Sequence, residues 1–317
     1  MGFPGTGEVP QEPSPETSKR FRISPTVMGL VAIVVVVVVV VVIVVAGSGK
    51  SSPKSTLSTD SPKGTTATTT VRESSGAVAA SPSLLDLVTG VPQSVFDKVG
   101  LPSEIVNYPK IVKGHSELKT ASGLPVMLYV GAEYCPFCAA ERWAMVIALS
   151  KFGTFSGLHT IHSSVTDFAP DTSTFTFYKS TYKSNYLVFA PYEVSTNQPA
   201  TSASACNVDG YACLDVPPKQ VVDIFQSVGG GSFPFMDFAN KVSQEGAGFG
   251  DQPLLLAGLT PIEIAQQLSN PDSQVAQAEI GSANYITGAI CAITGNQPAD
   301  VCTAPYVPVA QRLAGVS

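Results

Sequence analysis

Charge is scarce in this chain, and basic charge is scarcest in the part expected to fold. Only 13% of the 317 residues are charged, against 44% hydrophobic, and the formal net charge is −6. Past residue 82 there are 19 acidic and 11 basic residues, a balance of −8. Nucleic acids and anionic lipid surfaces reward clustered basic side chains, so neither is an expected partner. Histidine is nearly absent, with three in the chain. His159 and His162 are three apart on a segment read as a strand, so they face opposite ways and cannot chelate one ion. His115 stands alone. Tryptophan occurs once, as Trp143, and is expected in the core. No internal repeat is evident.

One long hydrophobic run is present. Val27 to Ala46 is 20 residues without a charge, nine of them consecutive valines from Val34 to Val42. As a helix it spans about 30 Å, a bilayer core. A cleaved signal peptide is the alternative, but its apolar core is usually ~7–15 residues. An uncleaved anchor is the expectation. Lys19, Arg20 and Arg22 crowd its N-terminal side, which places residues 1–26 in the cytoplasm and the rest outside. Residues 47–82 are rich in Ser, Thr, Gly, Lys and Pro and cannot bury enough surface to order themselves, so they read as a disordered linker. Within them "GSGKSS" imitates a phosphate-binding loop. The pattern needs a glycine where Val44 stands inside the span, and the resemblance fails.

Regular patterning starts near Ser83, and one domain is expected over 83–317. "SLLDLVTGVPQSVFDKVG" suggests one or two short helices. "LPVMLYVGA" is a continuously apolar run, as in a strand buried on both faces. "AAERWAMVIALSKFG" has helical spacing, and "GLHTIHSSV" reads as a second strand, completing a strand–helix–parallel strand unit. Strand character returns near 186–194, a helix is expected from Pro218 to Val228, a strand in "SFPFMDFANK", and helices at 261–270 and 274–293.

Between the first strand and its helix stands "GAEYCPFCAAERW". Cys135 falls where unpaired backbone N–H groups and the helix dipole favour a thiolate. Pro136 suits the first helical turn, which needs no backbone donor. Cys138, one turn later, is close enough to resolve a mixed disulfide formed at Cys135. A C-x-x-C opening the helix of such a unit resembles the thioredoxin superfamily. That resemblance implies a thioredoxin-like α/β fold and a cis-proline beside the cysteines, for which Pro234, after Phe233, is the candidate. The fuller run "EYCPFCAAERW", the anchor and a C-terminal cysteine pair resemble a single-span, thioredoxin-like prokaryotic family of unknown function. Departures are visible. Pro234 lies far downstream of Cys135, which implies an insertion over about 165–230. Tyr134 stands where thioredoxins have tryptophan, and the uncharged Phe137 cannot stabilise a thiolate as an intervening histidine could.

Cys206 with Cys213, and Cys291 with Cys302, form two more close pairs on the same side of the span. They are read as structural disulfides in an oxidising space, with a second relay through Cys291 and Cys302 as the alternative. Glu133 has two readings, a proton shuttle or a solvated loop carboxylate, and solvation is the default. Glu141 and Arg142 likewise default to a solvated helix face. No metal site is expected: zinc wants four ligands and no second C-x-x-C or histidine pair exists. Haem attachment fails because Ala139 follows Cys138. The expected function is a membrane-tethered, extracytoplasmic thiol–disulfide oxidoreductase without cofactor, acting on client protein thiols or disulfides and linked to a redox partner the sequence leaves unidentified. A non-catalytic binding or assembly module with an inert disulfide, and a metal carrier, are the alternatives.

Overall fold

A computed structural model describes residues 76–316 apart from 202, 203 and 205. The expected membrane span and the tail before it lie outside the described residues, as does most of the linker. Among the described residues no helix is long and apolar enough to cross a membrane.

The described chain opens with β1 (Val78–Ala79), α1 (Pro82–Thr89) and α2 (Gln93–Val99). Ser81 caps α1 by accepting from the Leu84 N–H, Pro82 fills its first turn and Gly90 ends it. Then come β2 (Lys110–Ile111), β3 (Val126–Gly131) and α3 (Pro136–Leu149). Four short strands follow, β4 (Gly153–Ser156), β5 (His159–His162), β6 (Ser173–Thr176) and β7 (Thr181–Ser184), before β8 (Val188–Glu193). Past it lie β9 (Ser195–Pro199), β10 (Asn207–Val208), β11 (Tyr211–Cys213), α4 (Lys219–Ser227), β12 (Phe235–Phe238) and β13 (Val242–Glu245). Helices α5 (Gln252–Leu255), α6 (Pro261–Gln267), α7 (Gln274–Ile293), α8 (Ala299–Cys302) and α9 (Val307–Ala314) complete the fold.

The central sheet is mixed, in the order β2-β13-β12-β3-β8. β3 and β8 run parallel from Val126↔Val188 to Gly131↔Glu193, while β12 pairs antiparallel with β3 and β13 with β12. Alternation along β3 and β12 divides the core. Met127, Tyr129, Met236 and Phe238 join the large cluster that includes α3 and α7. Leu128, Val130 and Phe235 join a smaller one with Cys135, Cys138 and the α4 residues Val221 and Ile224. Both faces of the sheet are therefore covered, which is why β3 reads as an unbroken apolar run. Helix α7 is buried along almost its whole length, and its small residues let neighbours approach closely. At Gly288 an added Cβ would lie 2.5 Å from the Ala310 Cβ of α9.

Three expectations are corrected here. The segment 157–165 does form a strand, β5, but it is not the parallel partner of β3. It pairs antiparallel with β1 and β6 in a separate sheet, and the partner of β3 is β8. In β5 only Ile161 is buried between half-buried neighbours, the pattern of a sheet with one wet face. The segment 165–230, expected as one insertion, contains β8, a strand of the central sheet, with β6 and β7 before it and β9 to β11 after it. The fold also starts ahead of Ser83, since Val78 and Ala79 pair with β5.

Candidate active site at a buried cysteine pair

β3 ends at Gly131, where an added Cβ would meet the buried Tyr129 hydroxyl at 2.0 Å, so only glycine fits beneath the turn. Four residues on, Cys135 is the N-cap of α3, and its Sγ accepts the Cys138 N–H at 3.3 Å. Pro136 occupies the first turn as expected. The two cysteines are free thiols. Both are buried, and Cys135, at 7% exposure against 0% for Cys138, is the less enclosed of the two. Hydrogen bonds from the Cys138 thiol and N–H, with the Arg142 charge, hold Cys135 below the ordinary thiol range despite burial. Burial, then the bond and charge of Cys135, push Cys138 well above it. One thiol is poised to ionise and its neighbour to stay protonated.

Behind the pair lies a buried charge network. Arg142, one turn past Cys138, donates from Nε to Glu193 Oε1 at 2.8 Å and from Nη2 to Glu193 Oε2 at 2.6 Å. Nη2 also reaches the Ala132 carbonyl at 2.9 Å. Glu133 Oε1 accepts the Thr176 hydroxyl at 2.5 Å, while its Oε2 has no hydrogen-bond partner among the described residues. Burial first, and then the Glu193 charge, push the Glu133 carboxyl up to about 8. The solvated readings of Glu133, Glu141 and Arg142 are thus wrong, for all three are fully buried. The reason is that β6 folds over α3: Thr174 donates to the Ala139 carbonyl, and Trp143 donates from Nε1 to the Ser173 carbonyl. With the sheet and α7 on its other sides, α3 has no wet face. Glu141 accepts from Gln244 and from the Gly248 N–H instead of from water.

The rim is aromatic. Phe137 packs against Phe168, which is 52% exposed. Tyr134 stacks on Tyr211 with centroids 4.1 Å apart and donates to Asp209 at 2.5 Å. The Phe233–Pro234 peptide is cis, as the resemblance implied. Continuing the β3–β12 register one step past Val130↔Phe235 sets Pro234 level with Gly131, at the end of β3 from which the cysteine loop departs. Phe233 and Phe235 both pack in the cluster holding the cysteines. Away from this centre, Cys206 is bonded to Cys213 and Cys291 to Cys302. Sequence reasoning missed Arg142 and its partner Glu193 behind the thiols, and Asp209 and Tyr211 against Tyr134. A signal existed for Arg142: a helix apolar on every side has nowhere wet to put a charge.

These features define the class, an α/β protein whose mixed sheet presents a C-x-x-C at the mouth of a buried helix. The chain belongs to the family described as a domain of unknown function (DUF929), whose model matches residues 110–292. That match takes in Cys135, Cys138, Arg142, Glu193, the Cys206–Cys213 pair and Pro234. No curated protein and no solved structure matches the chain.

Proposed function

We propose that this domain is thioredoxin-like and exchanges thiols with disulfides on client proteins, held to the outer side of a membrane by residues 27–46. The observation that carries the reading is the asymmetry of the pair. Cys135 accepts the Cys138 N–H, is lowered in pKa and is the less deeply buried of the two; Cys138 is raised and fully buried. The strand order β8-β3-β12-β13 and the place of Pro234 support the thioredoxin-like part. Reducing a client, the Cys135 thiolate attacks one client sulfur, forms a mixed disulfide and releases the other as thiolate. Cys138 then loses its proton and attacks Cys135, closing the Cys135–Cys138 bond and freeing the second client thiol. Oxidation of a client is the reverse. Glu133 and the Arg142–Glu193 pair are the buried groups that hold a proton and a positive charge behind this exchange.

Cys138→Ala should leave clients trapped on Cys135 as mixed disulfides, seen as reductant-sensitive adducts on non-reducing gels. Their absence, together with wild-type protein inert towards a dithiol peptide, sinks the reading. Near-complete burial of both sulfurs favours one rival, a binding module that no longer turns over. That rival requires a pair that resists mild reductant and a Cys135 that titrates near ~8.5 once freed.

A further inference from the structure

Two disulfides accompany the thiol pair, and they sit differently. Cys291 and Cys302 are buried, at 0% and 6% exposure, whereas Cys206 and Cys213 are both half-buried. Cys206–Cys213 closes a small hairpin. β10 and β11 pair at Asn207↔Ala212 and Val208↔Tyr211 around the two-residue turn Asp209–Gly210, both at positive φ. Hairpins this short are marginal on their own. β11 gains pairing to β9 at Tyr211↔Pro199 and Cys213↔Ser195, but the register shifts between these two pairs.

This hairpin holds the residue next to the nucleophile. Its tip supplies Asp209, which accepts the Tyr134 hydroxyl at 2.5 Å, and Tyr211, which stacks on the Tyr134 ring at 4.1 Å with 6° between planes. Tyr211 is itself pinned by donating to Ser164 Oγ at 2.7 Å, and the Ser164 N–H returns to the Tyr134 carbonyl at 2.8 Å. Tyr134 and Val208 both pack against the apolar cluster that contains Cys135 and Cys138. The hydrogen bond to the Tyr134 hydroxyl and the stack on its ring thus both come from a hairpin closed by the more accessible disulfide.

We infer that Cys206–Cys213 is a second, regulatory redox site: while it is oxidised the hairpin clamps Tyr134 over Cys135, and its reduction by a dithiol releases the clamp and uncovers the nucleophile. The electron balance is closed by the reductant. One thiolate of the dithiol attacks Cys206 or Cys213, breaking their S–S bond. This leaves a mixed disulfide between the reductant and one cysteine, and frees the other cysteine as a thiolate. The reductant's second thiolate then attacks its own sulfur in that mixed disulfide, expelling the protein thiolate, so the reductant departs as a disulfide and two electrons and two protons remain on Cys206 and Cys213. This deepens the exchange reading above, but its test needs no client.

The test is alkylation of Cys135 by iodoacetamide, read by peptide mass, in the full chain carrying Cys138→Ala, so that Cys135 is a thiol without added reductant. Adding Cys206→Ser and Cys213→Ser should raise the rate about tenfold, as local opening exposes the sulfur. Dithiol treatment of the chain with both cysteines present should do the same, and reoxidation should restore the slow rate. Tyr211→Ala should match that rise with the disulfide intact and add nothing to the serine pair. Tyr211→Phe, which keeps the stacked ring, should stay slow. Equal rates with the disulfide open and closed overturn the inference, as does a Tyr211→Phe variant as fast as Tyr211→Ala. Clients trapped normally alongside unchanged alkylation would sink the clamp and leave the exchange reading standing; a working clamp without trapped clients would do the opposite.

Discussion

At the scale of single residues, Arg142 has the largest consequences. It is fully buried, forks onto Glu193 and lends positive charge to both thiols. Arg142→Met should destabilise the domain by about 3–5 kcal/mol in chemical denaturation, because Glu193 is left charged and alone in the interior. Replacing Glu193 by Leu as well should recover most of that loss, since two apolar groups of similar size need no pairing. The double variant then isolates the electrostatic role. With the cation gone, Cys135 ionises less readily, and the midpoint of its alkylation pH profile should move to higher pH. A midpoint that stays put would show that the Cys138 hydrogen bonds alone set the thiolate. Arg142→Lys keeps the charge without the fork, so it should shift the profile less than it lowers stability.

At the scale of elements, stability turns on how closely α7 meets its neighbours. Gly288 lies where α9 crosses, and the 2.5 Å approach to Ala310 leaves no room for a methyl group. Gly288→Ala should cost about 1–3 kcal/mol by overpacking, despite the better helix propensity of alanine. Ala310→Gly should rescue it, as a cycle of thermal unfolding measurements would show; simple additivity would mean that the helices separate without cost. The same packing explains what was legible in the sequence. The strand at 126–131 and helices at 82–99, 136–149, 219–227 and 274–293 carry their own periodicity and are bounded by Ser, Pro or Gly, so local pattern sufficed. The partner of β3 was not legible, because β5 and β8 both follow α3 and only burial on two faces distinguishes them. Cys135 and Cys138 could be placed from motif and spacing, and Pro234 only from the family resemblance. The partners that bury Glu133, Glu141 and Arg142 could not, because β6 returns over α3 from 30 or more residues away; the all-round apolar pattern of α3 hints only that a charge on it has no wet face.

At the scale of the whole molecule, the buried carboxyls set how stability depends on pH. Burial pushes Glu133 up to about 8 and Glu141 and Asp237 up to about 7, and pushes Glu279 well above its usual range. In the unfolded chain each would ionise near its usual value of about 4–4.5. Native carboxyls that stay protonated where unfolded ones are charged contribute stability that is complete below that value and lost as pH rises through the native one. Each such group costs about 1.4 kcal/mol per pH unit across the gap. Opposing contributions fall mostly elsewhere. Glu117 and Glu263 are lowered by Lys119 and Thr260 respectively, so their support disappears only in more acidic solution. Lys151, lowered to about 8 by burial, relieves the fold only above that pH. Cys135, lowered by its bonds to Cys138, is a single group against four. The thermal midpoint should therefore be highest near pH 5 and fall steadily to pH 8. Asp237→Asn, which keeps the Asn240 N–H bonded to a side-chain oxygen while removing the charge, should flatten the part of that decline below about pH 7. A midpoint that is level or rising from pH 5 to 8 would mean that these carboxyls ionise in the folded protein without penalty, and that their burial does not govern its stability.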